Sequence, residues 1–139
     1  MTKYKNATAF FHACEGLEGW DGCSKYVASG AKFTAQCEPL VEIETVEQYC
    51  EWMAGLGKGP LAGCSYIIDA SSFDDETNTA LFFGTFTGQH SSDGGPVPPT
   101  GKTTKSQYVY ALKMNDEGLV EQMTKIWNAP WALNELGWV

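Results

Sequence analysis

The hydrophobic pattern of this chain changes period once, near Cys64, and that change limits the folds open to it. Beyond it, "CSYIIDASSF" and "TALFFGTFTGQH" are rich in β-branched and aromatic residues. The polar cluster Asp74-Asp75-Glu76-Thr77-Asn78 separates them, which predicts a hairpin. A second hairpin follows from "KTTKSQYVYALKM" and "GLVEQMTKIW" across Asn115-Asp116-Glu117-Gly118. A short tail, "APWALNELGWV", follows the last strand.

Before the change the period is helical. Ala7, Phe10, Phe11, Cys14 and Leu17 fall on one stripe, closed by Gly16 and Gly19. A second helix is predicted over 20–29, with Trp20, Cys23, Val27 and Ala31 in phase and Gly30 as its stop. "AKFTAQCEP" reads as a short extended piece ended by Pro39. Thr45-Val46-Glu47-Gln48 is a capping box, and Val46, Tyr49, Cys50 and Met53 form the stripe of the helix it opens. Helices first and a four-strand meander afterwards give an α+β fold, with three N-terminal helices packed on one face of a curved antiparallel sheet. The 139 residues suffice for one domain, spanning 1–139, with a single core.

The last hairpin also bears on assembly. One face carries Tyr108, Tyr110, Leu112, Met114, Met123 and Trp127, the other Val109, Ala111, Val120, Thr124 and Ile126. Neither is polar enough for water, and the helices cover only one, so a homodimer through the outer face is expected.

Charge excludes several functions. The net charge is −8 and the sequence contains no arginine. Nucleic acid is therefore not an expected partner, because phosphate backbones are held by clustered Lys and Arg. No apolar run reaches the length of a membrane span, and "MTKYKNATAFF" lacks a secretory signal's apolar stretch. The expectation is a soluble protein of the cytoplasm. The five cysteines have neither zinc spacing nor a C-x-x-C, and His12-Ala13-Cys14 has no second close pair to complete a metal site. Buried free thiols, no metal and no cofactor are expected.

"GGPVPPTGKT" at 94–103 ends like a phosphate-binding loop. Such a loop needs four residues between its two glycines, so that successive N–H groups wrap the phosphates. Counting back from Gly101 puts Pro96 where that glycine belongs, and Pro98 and Pro99 have no N–H to give. Nucleotide binding is not expected.

"TFTGQHSSDGGPVPPTGKTT", "YALKMNDEGLVEQ" and "NELGW", in that order, resemble the SnoaL-like polyketide cyclases and ester cyclases of the nuclear transport factor two-like superfamily. Gly88-Gln89-His90, Pro98 to Lys102, Asp116-Glu117-Gly118 and Leu136-Gly137 carry the likeness. The resemblance implies a cone-shaped, cystatin-like α+β barrel: helices closing a strongly curved sheet around an apolar pocket, usually in a dimer. The proline-rich loop would then place the pocket's rim. In the family's aldol cyclases an aspartate near the end of the last strand moves the proton. Nine residues before Gly137 that position is Asn128, and an amide is no general base, although it can hydrogen-bond a ligand carbonyl.

His90 is the remaining titratable candidate for an acid/base group. The alternative for it is a rim histidine bonded to the loop backbone. If the turn at 75–78 is tight, residue 69 pairs with 84, and Asp69 shares a face with Phe86 and His90; a one-residue slip would reverse this. Asn128, Asp69, Phe86 and Thr124 are the candidate ligand-binding residues. The function expected is binding of a small apolar or carbonyl-containing ligand, with isomerase, lyase or cyclase chemistry if His90 is catalytic. The alternative is a non-catalytic ligand-binding or dimerisation module.

Overall fold

A computed structural model describes residues 2–139. The first helix, α1, spans Thr2–Glu15 and buries Ala7, Phe10, Phe11 and Cys14, the stripe that its periodicity marks. A five-residue helix, α2 (Gly19–Cys23), leads through a 3₁₀ turn into β1 (Val27–Ala35). The third helix, α3 (Val46–Lys58), starts at the capping box: Gln48 N–H donates to Thr45 Oγ1, and Thr45 N–H donates to Gln48 Oε1. Two hairpins follow, β2 (Ser65–Asp74) with β3 (Thr79–Gln89) and β4 (Thr103–Met114) with β5 (Val120–Trp127), and then a short helix, α4 (Ala129–Glu135).

The α+β class stands, with two changes. The second predicted helix stops at Cys23, and Val27–Ala35 joins the sheet as a strand beside β5. The helical phase of Cys23, Val27 and Ala31 marked burial correctly, since all three are buried, but long-range pairing decided the backbone. Gly30 does not stop a helix. Its φ of 70° bends β1, and the register with β5 shifts between Val27 and Lys32, which is a bulge that a left-handed glycine permits. The sheet therefore has five strands in the order β1-β5-β4-β3-β2, with β1 parallel to β5 and the other pairs antiparallel. It is open, with β1 and β2 at its edges, rather than a closed barrel.

The helices α1 and α3 cover the concave face, where Phe11 stacks on Phe82 with ring centroids 4.9 Å apart and Tyr49 on Phe33 at 4.6 Å. A register shift beside Met114 changes the phase of β5: Val120, expected outside, is buried against the core with Met123. Ile67, Leu81, Phe83 and Ile126 remain exposed on the convex face. No helix among the described residues is long and apolar enough to cross a membrane.

Candidate functional site

Between α3, α4 and the concave sheet lies a cavity of about 350 Å³. Trp52, Met53 and Leu56 of α3 form one wall, and Phe86, Tyr108 and Trp127 of three adjacent strands form the floor. Leu133 of α4 and Leu136, which caps its C-terminus, form the roof with Trp138 beyond them, and Pro96 of the proline-rich loop reaches the rim. That loop thus supplies an apolar contact through Pro96. The size and apolar lining are those of a small-ligand pocket.

Two charged side chains interrupt the apolar lining. Glu15 ends α1 four residues after Phe11, so helical geometry carries it inward with the apolar stripe, and it is buried. The Tyr108 and Tyr110 hydroxyls both donate hydrogen bonds to it, Tyr108 to Oε1 and Tyr110 to Oε2. Inward-facing residues two apart on β4 point their phenols to one place, which suits a carboxylate's two oxygens. Gly84 makes room for this: a Cβ there would lie 3.0 Å from the Tyr108 hydroxyl.

Lys125 lies between Met123 and Trp127 on β5, faces inward, and is only 6% exposed. Its Nζ donates to Tyr49 Oη at 2.8 Å and stands 4.7 Å from the Trp127 ring centroid, 5.1 Å from Tyr49, 5.4 Å from Tyr108 and 5.6 Å from Trp52. Aromatic faces on several sides replace part of the ammonium's lost hydration. Burial lowers the Lys125 pKa from its ordinary value, while the Glu15 carboxylate pulls it back up. Tyr49 Oη lies 3.2 Å from Tyr110 Oη, so a chain of hydrogen bonds runs Lys125–Tyr49–Tyr110–Glu15. Burial raises the pKa of each of these phenols and of Tyr108, which keeps them as donors.

Of the five candidates named from sequence, only Phe86 lines the cavity. Asp69 sits at a bulge: Ile68 pairs with Gly84 and Ala70 with Phe83, so residue 69 has no partner across the ladder. Its carboxylate accepts from Thr85 Oγ1 at 2.6 Å on the convex face, away from Phe86. Thr124 also faces outward, with its Oγ1 3.3 Å from Thr34 Oγ1. Asn128 is exposed and caps α4, its Oδ1 accepting from Trp131 N–H at 3.3 Å. The tail, unassigned in the sequence, is thus a helix begun by the residue aligned with the cyclases' aspartate.

His90 is fully buried beside the cavity rather than on its wall. Its Nδ1 accepts from Trp138 Nε1–H at 2.8 Å and from Thr100 N–H at 3.3 Å. With two donors aimed at Nδ1, the ring proton sits on Nε2, which faces Gly95 and has no partner among the described residues. This is the geometry of the rim-histidine alternative. Through Trp138, His90 shapes the cavity roof. Thr100 Oγ1–H to Leu136 O at 2.7 Å and Thr104 Oγ1–H to Glu135 Oε1 at 2.7 Å secure α4 over the sheet.

Sequence reasoning missed Glu15, Lys125 and Tyr108 as site residues. Their signal was present: a glutamate on a helix's apolar stripe, and a lysine at the inward register position between Met123 and Trp127.

No family model and no curated protein matches the chain by sequence. Solved structures do match by fold. The chain is similar to a protein assigned as a SnoaL-like polyketide cyclase from Jannaschia Sp. CCS1, at TM-score 0.77 and 18% identity, covering 97% of this chain and 91% of that one. It is similar to IdmH, assigned as a polyketide cyclase, from Streptomyces antibioticus, at TM-score 0.75 and 12% identity, covering 99% of each chain. It is also similar to an LEH-like epoxide hydrolase from M. tuberculosis, at TM-score 0.68 and 11% identity, covering 97% and 89%. These likenesses establish the fold: the α+β cone of NTF2-like proteins, SnoaL-like cyclases among them.

Proposed function

We propose that the cavity binds a small, largely apolar carbonyl compound, and that the protein moves a proton on the carbon next to that carbonyl. The reaction class is isomerase, lyase or cyclase. One observation carries this reading: a desolvated amine, Lys125, and a carboxylate, Glu15, share the wall of a largely apolar cavity. A carbonyl oxygen directed at Lys125 would meet a donor whose strength grows with exclusion of water, so charge developing on an enolate oxygen is stabilised there. Glu15 is the one carboxylate side chain on the wall among the described residues, and it takes the proton. Tyr108 and Tyr110 hold it in place. No cofactor and no nucleic acid enters this scheme. The fold supports small-molecule chemistry only by analogy, through the polyketide cyclases it resembles.

A second reading has its own observation. Lys125, Tyr49, Tyr110 and Glu15 already satisfy one another, as in a pocket that binds its ligand through shape alone. The readings separate in one experiment. A panel of small cyclic and aromatic ketones is screened for binding by native mass spectrometry, and binders are then incubated with the protein in deuterated water. Proton transfer predicts deuterium at the α-carbon above background, lost in Glu15→Gln and in Lys125→Met. Binding without exchange supports the binding module and overturns the enzyme reading.

A further inference from the structure

Three cysteines far apart in sequence meet in the helical layer, outside the cavity wall. Cys14 and Cys50 lie on the buried stripes of α1 and α3, and Cys23 is the last residue of α2. All three are buried free thiols, and their Sγ atoms lie within 4.8 Å of one another. The sequence concealed the group because each helix supplies one ligand and no two are close along the chain. We propose that Cys14, Cys23 and Cys50 form a three-coordinate thiolate site for one soft, divalent, thiophilic metal ion.

The geometry suits such an ion. Metal–sulfur bonds of about 2.3 Å in a trigonal arrangement place the sulfurs roughly 4 Å apart, inside the observed spread. No histidine or carboxylate joins the group among the described residues. The Tyr110 hydroxyl lies 3.7 Å from Cys14 Sγ, but it is a phenol held protonated by burial, and Glu15 is engaged by its two tyrosines. A dry, all-sulfur donor set disfavours magnesium and calcium, which require oxygen ligands. Lacking a fourth donor, it also departs from structural zinc sites. A divalent ion leaves less uncompensated charge on three buried thiolates than a monovalent one.

Binding exchanges protons for the ion without oxidation or reduction: three S–H bonds break, three metal–sulfur bonds form, and three protons leave for solvent.

The fully reduced full-length chain is titrated anaerobically with Cd(II), followed by sulfur-to-metal charge-transfer absorption and native mass spectrometry. One ion per chain is expected. Cys14→Ser, Cys23→Ser and Cys50→Ser should each weaken binding by more than the roughly 10–100-fold that loss of an outer-shell partner costs. Cys37→Ser and Cys64→Ser should bind as the parent does. No stoichiometric uptake, or binding that survives all three buried substitutions, overturns the site. Should a serine variant not fold, X-ray absorption on the Cd(II)-loaded parent decides. Three sulfur neighbours without oxygen or nitrogen uphold the site; any other first coordination sphere overturns it.

Discussion

The Lys125 ammonium donates to the Tyr49 phenol at 2.8 Å, and that single bond ties the last strand of the sheet to α3 across the cavity wall. Tyr49 in turn lies 3.2 Å from the Tyr110 hydroxyl, which donates to Glu15, so cation and carboxylate are joined through two phenols rather than by direct contact. The arrangement keeps both charges on the cavity wall while leaving neither without a partner.

The first prediction concerns that coupling. Glu15→Leu removes the acceptor of two phenols and the counter-charge of Lys125, and should cost about 3–5 kcal/mol, the range for breaking a buried pair. Lys125→Met in the same chain should recover part of the loss. The double-mutant cycle, read by urea unfolding, should give an interaction energy of roughly 0.5–3 kcal/mol. Strict additivity would mean that the two charges do not sense each other.

Alkaline titration gives the second. Folding raises the pKa of Tyr49, Tyr108 and Tyr110, chiefly through burial. A group raised in the folded state contributes stability that is complete below its unfolded value, about 10 for tyrosine, and falls as pH rises above it. Lys125 acts in the opposite sense. Its folded pKa is lowered, so its burial weakens the fold least as pH approaches its ordinary 10.5. With three phenols against one amine, stability should decline above about pH 10. Phenolate absorbance should show these three tyrosines ionising only with unfolding. Their free titration in the native protein would contradict the burial.

The third separates the two roles of His90. As a positioning residue it acts through Trp138, so His90→Ala should shift Trp138 fluorescence and weaken ligand binding. The shape of any activity profile between pH 5 and 8 should stay unchanged. Removing a positioned acid or base would lower turnover about 10²–10⁴-fold and erase a limb of that profile. Trp138→Phe, which keeps an aromatic ring and removes the N–H donor, should likewise weaken ligand binding.

The fourth concerns assembly. Phe83 pairs with Val109, and Val109 with Ile126, so an apolar row crosses three strands on the convex face. Exposed Leu81 and Ile67 widen it. A second copy of the chain would cover this face, and sedimentation at tens of micromolar should give twice 15.2 kDa. Phe83→Lys with Ile126→Lys should return the monomer. A parent chain that sediments as a monomer would sink the dimer.

The sequence revealed most where neighbours in the chain are also neighbours in space. Thr45 and Gln48 cap one helix between themselves, and Asp74 to Asn78 turn one hairpin, so both were legible. β1 was legible only in part: residues 31–35 read as extended, but its first residues carry a helical phase and its partner β5 lies about ninety residues away. Asp69 was placed on the wrong face by one bulged residue, which the hydrophobic pattern does not report. Glu15 and Lys125 violate the apolar patterns around them and were visible as exceptions. That they meet, through Tyr49 and Tyr110, depends on α1, α3, β4 and β5 together.

The parallel pairing of β1 with β5 also bears on how fast the cavity comes into being. Hairpins β2–β3 and β4–β5 close short loops, whereas Val27 finds Val120 only after about two-thirds of the chain has been drawn together, and closure entropy opposes that step. Lys125 sits on β5 opposite Ala35 of β1, so the strand that carries the amine is flanked on both sides only when this contact forms. Pulsed hydrogen exchange during refolding should protect β3 and β4 amides before those of β1. β1 amides protected together with the hairpins would reverse the order, and would make the site as old in folding as the sheet itself.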